Sequence, residues 1–211
     1  MKELLHTLLL PSFLICLLTG CDPIDGGDGG GGGGSGEKTV LVMGDSISAT
    51  GTYAGTVPWP SLLASDRPNL TVVNRARSGE RMEEGSARIA AEITNSSPDV
   101  VVIFYGSNNV LRGNEDVVPS SLRSAIQTAK AAGVNRVIVC TIPRMYGELE
   151  SNVPAIKQLN NQIRNVASSE GARIANVFGE FSAGEGTLFP DGLHPNQDGQ
   201  RIIMVTVREK I

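Results

Sequence analysis

The 211-residue chain has only three cysteines and two histidines, and no cluster of lysine or arginine. Three cysteines are too few for a disulfide framework, and Cys16, in an apolar leader, and Cys140, in an expected buried strand, are poor bridge candidates. With no close histidine–cysteine group there is no metal-ligand spacing either. A net charge of −4 without a basic stretch offers no electrostatic footprint for nucleic acid and no polybasic patch for anionic lipid. Aromatic residues make up 4% of the chain, which argues against a long carbohydrate cleft lined by stacking rings. What is present is ordinary apolar content over enough residues for one domain with a real core.

The N-terminus places Lys2 before an apolar stretch from Leu4 to Leu18, interrupted by His6, Thr7, Pro11 and Ser12. That is too short and broken for a membrane span and suits the apolar region of a secretory signal over residues 1–20. The stretch ends in Leu18-Thr19-Gly20-Cys21, which resembles the bacterial lipobox. The resemblance implies a diacylated Cys21 as the mature N-terminus; a plain signal peptide with a chance cysteine is the alternative. Residues 21–36 are nearly pure glycine after Asp22-Pro23-Ile24-Asp25. Such a segment buries too little apolar surface to offset its ordering entropy, so a flexible tether is expected. A phosphate-cradling loop would need a following lysine and serine or threonine, which are missing. The expectation is a lipid-anchored protein of the bacterial cell envelope, on the periplasmic face of the inner or outer membrane or at the cell surface. An aspartate directly after the cysteine, Asp22, resembles the enterobacterial inner-membrane retention signal.

From Glu37 onward, strand-like and helix-like stretches alternate. Strands are expected at residues 40–43, 71–74, 100–105, 136–140 and 173–176, the clearest being Val100-Val101-Val102-Ile103-Phe104. Helices are expected at 60–65, 82–93, 119–132, 154–168 and from Pro195 towards Lys210. Alternation of this length argues an α/β domain over residues 37–211, a parallel sheet with helices on both faces and all strand carboxyl ends on one rim.

Four blocks fall at or near that rim. Gly44-Asp45-Ser46 follows the first strand and presents a hydroxyl, which is a poor nucleophile until a base takes its proton. The base has to be His194, because His6 leaves with the signal. Asp191, three residues earlier, is placed to orient it; capping the last helix or shaping the Gly192 turn is the alternative. The second block, Asn74-Arg75-Ala76-Arg77-Ser78-Gly79-Glu80, offers the Gly79 N–H, and the third, Gly106-Ser107-Asn108-Asn109, offers a side-chain amide. With the Ser46 N–H these make three donors for one developing oxyanion. Each block alone is common turn composition; their order and shared position after successive strands carry the reading.

Gly44-Asp45-Ser46, Gly79, Asn108 and Asp191–His194 together resemble the SGNH, or GDSL, hydrolase superfamily of esterases and lipases. Trp59-Pro60-Ser61-Leu62-Leu63 and the stretch from Val73 to Gly79 are most similar to its bacterial thioesterase/lysophospholipase and arylesterase branch. The resemblance implies a flavodoxin-like, three-layer α/β/α sandwich with a five-stranded parallel sheet. It also implies Ser46 as nucleophile, His194 as base, Asp191 as its orienting carboxylate, and an oxyanion hole of Ser46, Gly79 and Asn108. No metal or organic cofactor is implied. Asn109 departs from the usual aspartate of the third block, keeping its acceptor oxygen and losing its charge. The activity expected is acyl-enzyme hydrolysis of a small-molecule or lipid ester by a monomer. The rival readings are an O-acyltransferase or deacetylase of envelope polysaccharide and a catalytically silent binding protein displayed on the membrane. Tyr53, Trp59, Met145 and Tyr146 are candidates to line the pocket, against the commoner role of packing.

Overall fold

Every apolar run expected as a strand forms one. A computed structural model describes residues 38–50 and 55–211, within the compact unit Gly36–Ile211. The leader, Cys21, the glycine-rich tether and Tyr53 lie outside the described residues. The strands are β1 (Lys38–Gly44), β2 (Leu70–Asn74), β3 (Val100–Phe104), β4 (Arg136–Cys140) and β5 (Arg173–Ala175). All pairings are parallel, in the order β2-β1-β3-β4-β5. Between them run α1 (Trp59–Asp66), α2 (Met82–Ser96), α3 (Ser107–Leu111), α4 (Val118–Ala131), α5 (Val153–Ser169) and α6 (Gln197–Arg208).

The two-residue period of a strand divides the core into two halves. Leu41, Met43, Val101, Ile103, Val137 and Val139 face one side, where α2, α4 and α5 bring Ile89, Ile126 and Ile163. Val40, Val42, Val100, Val102, Ile138 and Cys140 face the other, against Trp59 and Leu63 of α1 and Ile203 and Val207 of α6. Because β3 is covered on both faces, all five of its residues are buried, which is why its sequence does not alternate.

The strand order reverses between β1 and β3, whose neighbours lead away in opposite directions. In open α/β sheets the crevice at such a switch point, beyond the strand carboxyl ends, is where ligands sit. Ser46 follows β1 and Asn108 follows β3, so the reversal brings them together. One local expectation shifts. The last helix begins at Gln197 rather than Pro195, because the Asn196 side chain accepts from the Asp198 and Gly199 amides and caps it. The third block, of common turn composition, forms the short helix α3.

Candidate active site

β1 ends in a glycine because its backbone runs too close to its neighbours for a side chain. A Cβ on Gly44 would stand 2.8 Å from Ser48 Oγ and 3.1 Å from the Phe104 carbonyl. The chain then turns, the Asp45 carbonyl accepting from the Ser48 and Ala49 amides at 3.1 and 3.0 Å. This turn presents Ser46. Three contacts hold it from separate elements. Asn74 Nδ2 donates to the Ser48 carbonyl at 2.7 Å, Trp59 Nε1 donates to Ser48 Oγ at 3.0 Å, and Gln200 Nε2 donates to the Ile47 carbonyl at 3.1 Å.

The imidazole that faces Ser46 arrives from the other end of the chain. His194 Nε2 lies 2.8 Å from Ser46 Oγ, and its Nδ1 lies 2.6 Å from Asp191 Oδ2. The other carboxylate oxygen, Asp191 Oδ1, accepts from the Leu193 and His194 amides at 2.9 and 2.7 Å. One oxygen thus shapes the loop while the other orients the ring. Burial raises the Asp191 carboxyl, but these hydrogen bonds outweigh it and hold the group below its ordinary value. An ionised acceptor at Nδ1 puts the ring proton there and leaves Nε2 to accept the Ser46 hydroxyl proton.

The second and third blocks still have hydrogen-bonding capacity to spare. Among the described residues, neither the Ser46 N–H nor the Gly79 N–H has an acceptor. Gly79 has φ +78°, a conformation that disfavours any side chain. Asn108 Nδ2 donates one hydrogen to the Glu80 carbonyl at 3.1 Å, which fixes the amide orientation and leaves its second N–H available. Free N–H groups are what a developing oxyanion would need beside an attacking hydroxyl.

A model of the GDSL-like lipase/acylhydrolase family matches residues 42–202. The chain belongs to that family. Esterase TesA of Pseudomonas aeruginosa is 32% identical over 165 residues, 75% of this chain and 80% of that protein. Thioesterase 1/protease 1/lysophospholipase L1 of Escherichia coli is 29% identical over 173 residues, 78% of this chain and 79% of that protein. A crystal structure of TesA superposes with a TM-score of 0.71 at 27% identity, covering 82% of this chain and 97% of the other. This GDSL protein is a carboxylic ester hydrolase with the three-layer α/β fold of the SGNH enzymes.

In this family member Asn109 is fully buried and structural. Its Oδ1 accepts from the Met82 amide at 3.0 Å, and its Nδ2 donates to Glu83 Oε2 at 2.9 Å. An aspartate would serve the first contact and repel Glu83 at the second, which explains the departure. Of the pocket candidates, Trp59 and Met145 are core residues, 0% and 1% exposed. Tyr146, unlike those two, borders a cleft of about 580 Å³ beside Asp191, where its ring stacks on Phe189, and Tyr53 lies outside the described residues. Asp45 is buried, with Oδ1 accepting from the Ile47 amide at 3.0 Å and Oδ2 unpartnered. Burial pushes its carboxyl up to about 7; the Ile47 hydrogen bond opposes this and the Glu80 charge adds to it. Sequence reasoning missed Gln200, whose Oε1 also accepts from the Trp59 amide at 2.8 Å, and the roles of Glu80 and Arg88. Glu80 stood inside the second block, but nothing in a polar loop marks one carboxylate as buried.

Proposed function

We propose that the protein is a membrane-anchored serine esterase that works by two-step acyl transfer. Ser46 attacks the ester carbonyl as its proton passes to His194 Nε2, and Asp191 stabilises the imidazolium that forms. The Ser46 and Gly79 N–H groups and the Asn108 amide receive the oxyanion. His194 then protonates the departing alcohol, and water activated by the same nitrogen releases the acyl group. The observation that carries this reading is the continuous 2.6 and 2.8 Å relay from Asp191 through His194 to Ser46. The similar proteins are named an esterase, a thioesterase/lysophospholipase and an arylesterase, which supports short acyl, aryl or lysophospholipid-type esters and thioesters as substrates. The mixed polar and apolar lining of the cleft beside Asp191, including Leu149, Phe189 and Glu148, suits an amphiphilic alcohol or acyl group.

A series of p-nitrophenyl esters from two-carbon to long acyl chains tests the reading, with Ser46→Ala as control. Turnover is expected to vanish in Ser46→Ala while its melting temperature stays close to wild type, and a fluorophosphonate probe is expected to label Ser46 only. Full turnover by a folded Ser46→Ala variant would end the proposal. The anchor is a separate part of it: mass spectrometry is expected to find diacylglycerol on Cys21, and Cys21→Ala to move the protein from the membrane to the aqueous fraction.

A further inference from the structure

Beneath the Gly79 and Asn108 donors lies a charged cluster that the acyl-transfer mechanism does not use. Glu80 follows Gly79 directly, and its side chain is 8% exposed. Arg88 of α2 grips it with two bonds, Nε to Oε1 at 2.7 Å and Nη2 to Oε2 at 2.5 Å. The same Nη2 donates to the Arg75 carbonyl at 2.6 Å, so one guanidinium holds the second block at both ends. Glu92 fixes the guanidinium in turn, its Oε1 accepting from Nη1 at 3.0 Å.

Tyr105 and the third block that follows it reach Glu80 from two sides. Tyr105 OH donates to Glu80 Oε2 at 2.6 Å, while Asn108, three residues on, donates to the Glu80 backbone carbonyl. Burial and the Glu80 hydrogen bond push the phenol well above its ordinary value, so it remains a donor at every physiological pH. Tyr105 fits against α2 because residue 85 is glycine; a Cβ there would lie 2.5 Å from Tyr105 Cζ. Glu80 is therefore tied by its carboxylate to Arg88 and Tyr105, and by its carbonyl to Asn108. Its amide nitrogen is bonded directly to the carbonyl carbon of Gly79.

We propose that Glu80, clamped by Arg88 and Tyr105, is the positioning residue of the oxyanion hole, holding the Gly79 and Asn108 donors at fixed spacing so that they need not reorganise during acyl transfer. A preorganised donor pair acts on the transition state more than on bound substrate, so loosening it lowers kcat and kcat/KM together and spares KM. A core ion pair with a purely structural role would lower the melting temperature and leave the turnover of folded protein intact.

The proposal rests on the serine-esterase reading, and a double-mutant cycle on the full-length chain separates the two. Glu80→Gln keeps size but turns one half of the fork into a donor facing a donor. It is expected to lower kcat on p-nitrophenyl acetate by roughly tenfold with KM within about twofold. In an Asn108→Ala background, where one of the positioned donors is already gone, the same substitution is expected to cost less than about threefold. Tyr105→Phe, which removes one bond and keeps the packing, is expected to show a smaller loss with the same dependence on Asn108, and it decides the matter if Glu80→Gln does not fold. Unchanged kcat in Glu80→Gln or Tyr105→Phe, or an equal loss with and without Asn108, overturns the proposal. Equal turnover by wild type and Ser46→Ala would instead overturn the esterase reading.

Discussion

Asp45→Asn is expected to gain stability relative to wild type as pH rises. In the unfolded chain this carboxyl releases its proton near 3.8, whereas in the folded chain burial holds the proton until about 7. Below pH 3.8 both states are protonated and ionisation costs folding nothing. Between 3.8 and 7 the unfolded state has shed a proton that the folded state keeps, so stability falls as pH rises, and above 7 the penalty is complete. The gap from 3.8 to about 7, at about 1.4 kcal/mol per pH unit, comes to about 4 kcal/mol. Asparagine retains the oxygen that accepts from the Ile47 amide and cannot ionise, so the variant lacks this slope. Its buried amide carries a constant cost that cancels when one pH is compared with another. In a domain of this size the difference in melting temperature between variant and wild type should move by about 8–16 °C from pH 4 to pH 8. Thermal melting followed by circular dichroism across that range is the assay. A difference that stays constant would show that Asp45 ionises as it does in water, and the burial argument would be wrong.

Two further substitutions test the loops that carry the site. Gly192→Ala would place a Cβ 2.4 Å from the Tyr146 carbonyl at φ +79°, displacing the Asp191–His194 loop. Ester hydrolysis should fall more than about tenfold, with about 1–3 kcal/mol lost in stability. Gly133→Ala, at φ +81° with no atom within 4 Å, is the control: it should lose about 1–2 kcal/mol from backbone strain alone and no activity. Asn109→Asp would set a buried carboxylate against the half-buried Glu83 Oε2, where the amide now donates at 2.9 Å. Denaturant unfolding at pH 7.5 should show a loss of about 3 kcal/mol that shrinks at pH 5, as the introduced buried carboxyl takes up a proton and the repulsion falls. Equal loss at both pH values would remove charge repulsion as the cause.

Much of this protein could be read from the order of its residues. Strand positions were legible because a strand covered on both faces needs an unbroken apolar run, as residues 100–104 supply. That Ser46 and His194 would face one another was legible for a different reason. Short motifs after strands place side chains on a common rim in any parallel α/β sheet, and only one histidine remained once the leader was set aside. Helix capping was misjudged by two residues, since Pro195 and Asn196 are both good start signals and only the Asn196 hydrogen bonds decide between them.

What tertiary structure alone decided is which polar residues leave water. Glu80, Arg88 and Tyr105 look in sequence like a loop acid, a helix surface base and the end of a strand. They meet because the β1–β3 reversal packs α2 beside the third block, and one guanidinium then satisfies a carboxylate that burial would otherwise penalise. Gln200 bridges to the nucleophile turn across 153 residues for the same kind of reason. Periodicity reports a side chain's own face of its own element. A hydrogen bond between distant elements depends on register, strand order and the helix set against them, and those are fixed only when the whole sheet has formed.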